Sequence, residues 1–549
     1  MFRSILQYFK ELSYSQELLH FVQNDILSRL EHLIPLAALY AETHYRFRWF
    51  PFSHYYRRQP EIIFDAPHRL EPDETLPVTL IVKDAHRFPL DIGDVVIRAS
   101  GGGLTVVERF PLNISVGQPF WHKLFEVNVA GLPPGRALVE AELRGVCRGR
   151  RIVTRQDNHP GLSHAPLILD KAADPLPALP GWSAGELHCH TEFGSDQVEF
   201  GAPLPVIART AKAMGLGWAA LTDHSYNLDD TEDDYLHDDP ALPKWQRLWD
   251  ETEQLNREAG GALLIPGEEV TVRSAKGRNV HLLVIGNKEF LPGSGDGAQK
   301  WFHTRSELSV AEALARLSPD AFAAAAHPFE PAAALERLLV GRGDWQPSDL
   351  AHLRLDGWQL LNDLPPSEVV PGLDALVKML LTGKRCHIYA GNDAHGNFNR
   401  FRQVKLPMVR LWEREAHLFG RVTTRVRAPQ PLTTAGVLKA LKSGDAVVST
   451  GPALSLEWKG NDADHQRIIV RYATSSEFGA VSEISIHTAR SDSEVVVARL
   501  RSDDGTLPDG WCGEAALPAK GGLYLRAELS TVTGHRAWTN PLWVVSFGF

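Results

Sequence analysis

His188-Cys189-His190 sets two imidazoles two residues apart at the end of a short apolar run, where a strand's period of two would place both on one face. Two such groups can share one metal ion. Further ligand-type side chains close other apolar runs: Thr222-Asp223-His224, Gly267-Glu268-Glu269, His327-Pro328 and Asn392-Asp393-Ala394-His395. A lone HxH is more often a satisfied pair in a core or on a surface than a metal site, and an Asp-His or Glu-Glu pair says still less. Taken together they point further, because burying several carboxylates and imidazoles without a cation is prohibitively costly. A mixed imidazole and carboxylate set suits zinc, manganese or iron better than calcium or magnesium alone. Two such ions a few ångströms apart lower the pKa of a bridging water toward about 7 and bind a substrate oxygen. That is hydrolytic chemistry, with attack at phosphorus in a phosphate ester or at carbonyl carbon in a carboxylic ester or carbamate.

These side chains need elements to bring them together. From about Gly185 to Pro452, short apolar runs alternate with helical segments. Seven runs stand out: Glu186-Leu187, Trp218 to Thr222, Leu263 to Ile265, His281 to Ile285, Phe322 to Ala326, Trp358 to Leu361 and Ile388 to Ala390. The rhythm predicts an α/β fold, a βα-repeated barrel over residues 183–452. In such barrels the loops at the C-terminal strand ends meet at one mouth, where the chemistry is kept. Around it, residues 1–60 read as a helical segment, with apolar residues from Leu18 to Ile34 spaced by three and four. Residues 61–170 show β alternation with Gly and Pro turns and predict a β-sandwich. Ala172 to Pro180 reads as a proline-rich linker, and 453–549 predicts a second β-sandwich.

The bulk numbers narrow the function. The 549 residues are too many for one core, and 44% hydrophobic with 23% charged residues is an ordinary globular composition. A net charge of −10 and a pI near 6.2 argue against stable nucleic-acid binding. Four scattered cysteines without a CxxC pair indicate neither a disulfide framework nor a zinc knuckle. No run of about 18 apolar residues predicts a membrane span, and the N-terminal residues lack the features of a signal peptide. The expectation is a cytoplasmic protein acting on a small-molecule ester, with the helical segment as a cap, an outer layer or a dimerisation arm of a homo-oligomer.

The ordered motifs resemble those of a known superfamily. His188-Cys189-His190-Thr191-Glu192-Phe193, Thr222-Asp223-His224, Gly267-Glu268-Glu269-Val270-Thr271, His281-Leu282-Leu283, Ala326-His327-Pro328 and Gly391-Asn392-Asp393-Ala394-His395 are similar to the motif series of the PHP (polymerase and histidinol phosphatase) superfamily. Residues Val437 to Gly451 and Trp538-Thr539-Asn540-Pro541 resemble its carbaryl-hydrolase-like (CehA/McbA) branch. The resemblance spans about half the chain. It implies a distorted seven-stranded βα barrel with two or three divalent transition metal ions at its mouth. His188, His190, Glu269 and Asp393 would hold one ion, with Glu269 bridging to a second ion on His281 and His327. A third would lie on His224, His395 and an acid soon after the first motif, here Asp196, one residue later than in many relatives. Glu269 is preferred to Glu268 because Gly-x-Glu-x-Thr is the matching register. His281 begins its apolar run, so a hairpin from Thr271 to Leu283, turning at Lys276-Gly277, has to return it to the site.

Other residues carry two readings each. Asp223 is an acceptor that orients an imidazole, or a structural strand-end hydrogen bond. Arg400 and Arg402 clamp a phosphate with planar forks, or are solvated. Asn362 points into the mouth or caps a helix. The acidic run from Asp229 to Asp234 reads as a solvated loop. Gly181-Trp182-Ser183-Ala184-Gly185 matches the GxSxG nucleophile elbow, yet a linker precedes it and a strand follows, the reverse of what an elbow needs. The expected activity is a metal-dependent phosphoesterase working through a metal-bridging hydroxide; the alternatives are a carboxylic ester or carbamate hydrolase and a metal-stabilised binding module without catalysis.

Overall fold

The computed structural model describes residues 58–158, 162, 164–194, 201–231, 237–258, 260–295, 304–332, 337–338, 340–363, 369–400, 403–406, 409–412, 417–461, 465–490, 492–501, 512–518 and 524–543. The expected helix between Ser15 and Glu42, Asp196 and Arg402 lie outside the described residues.

Two sheets face each other at the N-terminal end. One pairs Glu61–Asp65, Leu76–Lys83 and Phe120–Val127; the other is built on Leu90–Gly101, Leu104–Val116 and Gly135–Cys147, extended by Leu167–Lys171, Arg69–Leu70 and Arg150–Arg155. Strand alternation makes the interior: Val95, Ile97 and Ala99 pack with Val139, Ala141 and Leu143 against Val78, Leu80 and Val82 of the smaller sheet.

All seven apolar runs fall in strands of one further sheet, in chain order: β1 (Trp182–Cys189), β2 (Trp218–Leu221), β3 (Leu263–Arg273), β4 (Asn279–Ile285), β5 (Phe322–Ala325), β6 (Gly357–Leu361) and β7 (His387–Ala390). Helices Leu204–Ala213, Pro243–Arg257, Val310–Arg316 and Val369–Leu381 lie between β1 and β2, β2 and β3, β4 and β5, and β6 and β7. Pairing is parallel except around β4, which runs antiparallel to both β3 and β5. The cause is local. Only residues 274–278 join β3 to β4, far fewer than the dozen or so that a parallel crossover requires, and Gly277 supplies a left-handed turn residue at φ 71°. A uniform βα repeat is therefore broken by the hairpin expected at Lys276-Gly277.

Beyond β7 the chain comes back to β1. Ala394 bridges Cys189, with the His190 amide donating to the Ala394 carbonyl at 2.7 Å, so the two ends of the seven-strand run meet. Leu187, Ala220, Ile265, Leu283, Ala324 and Tyr389, from six of those strands, share one buried cluster.

The other edge of β1 carries β8 (Thr423–Arg427) and then β9 (Ala446–Ser449), both antiparallel. The sheet continues into Arg536–Thr539, Tyr524–Thr531, Val481–Arg490 and Ser493–Leu500. The expected boundary at 452/453 is thus not a boundary between sheets. Arg536–Thr539 takes up the edge of β9, which would otherwise expose unpaired backbone. A three-stranded sheet of Ala453–Asn461, His465–Ala473 and Cys512–Pro518 covers this extension, sharing a core of Val447, Leu454, Ile468, Val470, Ile484 and Ala527. Among the described residues no helix is long and apolar enough to cross a membrane.

Candidate metal centre

Strand ends deliver the histidines, and the hairpin delivers the carboxylate that joins them. His188 and His190 leave the end of β1 on one face and are both buried. Glu269 lies within β3 because that strand outruns β2; its amide donates to the Asp223 carbonyl at 2.9 Å, which brings His224 alongside. Thr271 faces His281 across the hairpin, so Glu269, two residues earlier, is the diagonal neighbour of His281 on the same face. His327 follows β5 and Asp393 follows β7, both at positive φ (29° and 51°), a backbone region that non-glycine residues seldom adopt.

The two oxygens of Glu269 face different histidines. Oε2 lies 3.3 Å from His188 Nε2, 3.4 Å from His190 Nε2 and 3.1 Å from His224 Nδ1. Oε1 lies 2.6 Å from His281 Nδ1 and 3.2 Å from His327 Nε2. Asp393 Oδ1 closes the first group, 3.2 Å from His188 Nε2 and 3.1 Å from His190 Nε2. Ligands about 2.0–2.1 Å from a tetrahedral zinc stand about 3.3 Å from one another, so these separations fit an ion held by His188, His190, Glu269 and Asp393. His224, Glu269 and His281 form a second group of convergent donor atoms, and His190, His224 and His395 a third. The His190 and His395 rings stack at 3.9 Å between centroids.

Burial without donors is the second sign. Among the described residues His188 Nε2, His224 Nδ1 and Glu269 Oε2 are buried with no hydrogen-bond partner, a costly condition that a cation would relieve. The electrostatics agree. Burial disfavours the charged form of His190, but the Asp393 and Glu269 carboxylates outweigh it and push the imidazole up to about 10. For His224 burial wins over Glu269 and lowers it to about 4. Against their own burial, Glu269 and Asp393 are held well below the usual carboxylate range by the surrounding imidazoles. Glu268 turns away: it accepts from Ser225 Oγ at 2.9 Å and the Leu291 amide at 3.0 Å, and burial pushes its carboxyl well up.

Several positioning residues had not been singled out in the sequence. Gln359 Oε1 lies 3.1 Å from His188 Nδ1 and accepts from the His327 amide at 3.2 Å; with Nδ1 donating, Nε2 of His188 keeps its lone pair for an ion. Asn362 lies behind it, accepting from Gln359 Nε2 at 2.6 Å and donating to Glu330 at 3.1 Å, so it neither caps a helix nor touches the imidazoles. Glu186 accepts from the amides of His188 (3.0 Å), Asn392 (2.9 Å) and Gly420 (2.9 Å), tying β1 to the loop of Asp393. A legible signal existed for both: Glu186 precedes the two histidines at the same period of two, and Gln359 is a polar residue inside an apolar run. Arg342, whose Nη1 contacts His281 Nε2, had no such signal. It reaches the centre because Asn279 holds its segment, through bonds with Gly341 O (3.1 Å), the Gly343 amide (2.8 Å) and Val340 O (2.9 Å).

Asp223 takes the structural one of its two readings, and the expected role of Arg400 needs correction. Asp223 orients no imidazole directly: its oxygens accept from the Thr191 amide and hydroxyl, both at 2.7 Å, which fixes the turn after His190. Arg400 is no phosphate clamp. It is 2% exposed and donates to Phe64 O (2.7 Å), Ala165 O (3.0 Å) and Gln156 Oε1 (3.2 Å), with Asp157 at 3.5 Å, all on the N-terminal side. The acidic run is also more structured than expected, since Asp230 is buried and paired with Lys244. Ser183 lies within β1, paired with Val426, and not at a strand-to-helix elbow.

No family model and no curated protein matches this chain. Among solved structures it is similar to β-glucuronidases of Bacteroides uniformis (9% identity, 88% of this chain and 60% of that one, TM-score 0.18) and Parabacteroides merdae (10% identity, 87% and 64%, TM-score 0.18). A glycosyl hydrolase family 2 member of Bacteroides cellulosilyticus matches at 8% identity, 87% and 63% coverage and TM-score 0.15. The chain spans 60–64% of the length of these proteins, and TM-scores this low establish no common fold.

Proposed function

We propose that this chain is a metal-dependent hydrolase of the PHP type, acting on phosphate esters at the mouth of a distorted seven-stranded barrel. The observation that carries the reading is the Glu269 carboxylate, with one oxygen among His188, His190 and His224 and the other between His281 and His327. A carboxylate so placed can join two ions, each with its own imidazoles. Zinc, manganese or iron bound there would supply a hydroxide nucleophile at neutral pH and neutralise charge developing on the substrate.

The protein's own residues do the rest. Gln359 keeps His188 in the tautomer that offers Nε2. Asp223 and Thr191 hold His190 in place, and Glu186 with Asn392 holds Asp393. Arg342, in contact with His281, brings a guanidinium to the edge of the cluster, and its positive charge favours an anionic phosphate ester over a neutral carbamate.

The test is metal analysis followed by a screen of metal-reconstituted protein against phosphomonoesters, phosphodiesters, carboxylic esters and aryl carbamates. Phosphate ester turnover that disappears in His188→Ala is expected. Turnover confined to carboxylic esters or carbamates would overturn the phosphate assignment, and protein without affinity for transition metals would overturn the hydrolase reading itself.

A further inference from the structure

The loop bearing Asp393 and His395 continues straight into the N-terminal sandwich. The Phe398 amide donates to Asp65 Oδ2 at 2.8 Å, and Phe398 O lies 3.2 Å from His68 Nδ1. Asn399 Nδ2 donates to Ile168 O at 2.6 Å, while its Oδ1 accepts from the Ile168 amide at 3.4 Å. Arg400 adds its bonds to Phe64 O and Ala165 O and its ion pair with Asp157. Asp65, Asn399 and Arg400 are all buried, so these are interior contacts.

The other side of the loop is equally confined. Gly396, at φ 76°, leaves no room for a Cβ, which would meet the Gly201 carbonyl carbon at 2.4 Å. A Cβ on Gly201 would in turn run into the Thr191 carbonyl, and Thr191 is the residue that Asp223 holds. His395 sits between these walls, its amide donating to Asn397 Oδ1 at 2.9 Å and its Nδ1 lying 2.8 Å from Asp393 O. Asp393 has a separate support, because its neighbour Asn392 is bonded to Glu186 and exchanges hydrogen bonds with the Val422 amide (2.9 Å) and carbonyl (2.8 Å).

We propose that the N-terminal sandwich is a working part of the metal centre, with Asn399 and Arg400 as positioning residues that hold His395 for an ion shared with His224, beside His190, whose Nε2 faces Glu269 and Asp393. This rests on the metal reading given above. A ligand on a loop must be ordered when the ion binds, and ordering it beforehand removes a conformational entropy cost from binding. Because Asp393 is held independently, loosening the sandwich contact should weaken the site of His224 and His395 and spare the ions joined by Glu269.

The experiment uses the full chain and titrates zinc and manganese against a chelator of known affinity, with stoichiometry by elemental analysis. Asn399→Ala is the main variant. Arg400→Gln is the second, and its circular dichroism is checked because it leaves Asp157 buried without its guanidinium. A control, Leu143→Ala, weakens the sandwich core without removing a hydrogen bond to the loop. The expected result is a loss of about 10–100-fold in affinity for the weakest-bound ion in Asn399→Ala, with the tighter ions and the control unchanged. Wild-type affinity for every ion in Asn399→Ala, or an equal loss in Leu143→Ala, would overturn the proposal while leaving the hydrolase reading intact. A wild-type chain that binds no transition ion would overturn both.

Discussion

Among the described residues, two clusters of histidine and carboxylate meet the problem of buried charge in opposite ways. On the C-terminal extension of the sheet, Glu494 accepts from Arg526 Nε at 2.7 Å and Tyr524 Oη at 2.8 Å, with His487 Nδ1 at 3.2 Å. Glu528 accepts from Arg526 Nη1 at 2.6 Å and pairs with Arg536 at 3.1 Å. The cluster contains its own cations, and hydrogen bonds from His487, Arg526 and Tyr524 bring Glu494 down to about 2 although burial opposes them. At the ends of the seven-strand run, Glu269 and Asp393 face imidazoles instead of guanidiniums, and among the described residues His188 Nε2, His224 Nδ1 and Glu269 Oε2 have no hydrogen-bond partner. Residue types alone therefore do not mark a metal site. The balance between lone pairs and donors does, and it is favourable to a metal in only one of these clusters.

The comparison breaks most directly if the two carboxylates are exchanged for amides. Glu269→Gln is expected to lose the ions it joins and, with several kcal/mol of transition-state stabilisation removed, at least about 10³-fold in turnover. Elemental analysis and kinetics check both. Glu494→Gln should leave metal content and turnover at wild-type values while costing about 3 kcal/mol of stability, since the buried Arg526 loses one of its two carboxylate partners; urea unfolding measures this. Equal metal loss in the two variants would erase the distinction.

A smaller effect is expected at Gln359. Gln359→Leu removes the acceptor behind His188 and should reduce metal affinity about 10–100-fold, read by chelator competition, with thermal stability changed far less than in Glu494→Gln. Full affinity in that variant would mean that His188 needs no partner to present Nε2.

The finest test contrasts histidines inside and outside the mouth. Carboxylates push His190 up to about 10, whereas burial takes His68, at the contact with Phe398, down to about 4. A folded-state pKa below the ordinary 6.5 means that His68 contributes stability above pH 6.5 and that this is lost as pH falls toward 4. In His68→Gln the contribution is absent at every pH. The Tm advantage of wild type over this variant should therefore shrink between pH 7 and pH 4.5 in thermal melts, and a constant difference would show that folding leaves the His68 pKa unshifted.

Much of this was legible in one dimension. Strand periodicity put His188 and His190 on a common face, and the short Lys276-Gly277 connection foretold the hairpin that carries His281 to Glu269. Glu186 and Gln359 were readable in principle, as polar residues in buried strands. Arg342 was not, because its place depends on Asn279 holding a segment some sixty residues away in the chain. Arg400 misled for a related reason: an arginine five residues after His395 looks available, and only the packing of the sandwich shows it bonded to Phe64, Ala165 and Asp157.

The sequence by itself determined which side chains have the chemistry of metal ligands, the order in which they appear and the strands that carry them, because periodicity and turn residues are local properties of the chain. Tertiary structure decided the rest. It set which oxygen of Glu269 faces which imidazole, which buried nitrogens lack a donor, which arginine reaches the centre, and that the C-terminal strands extend the same sheet. Each of these depends on groups distant in the chain coming within a few ångströms, where hydrogen bonding and charge balance are settled.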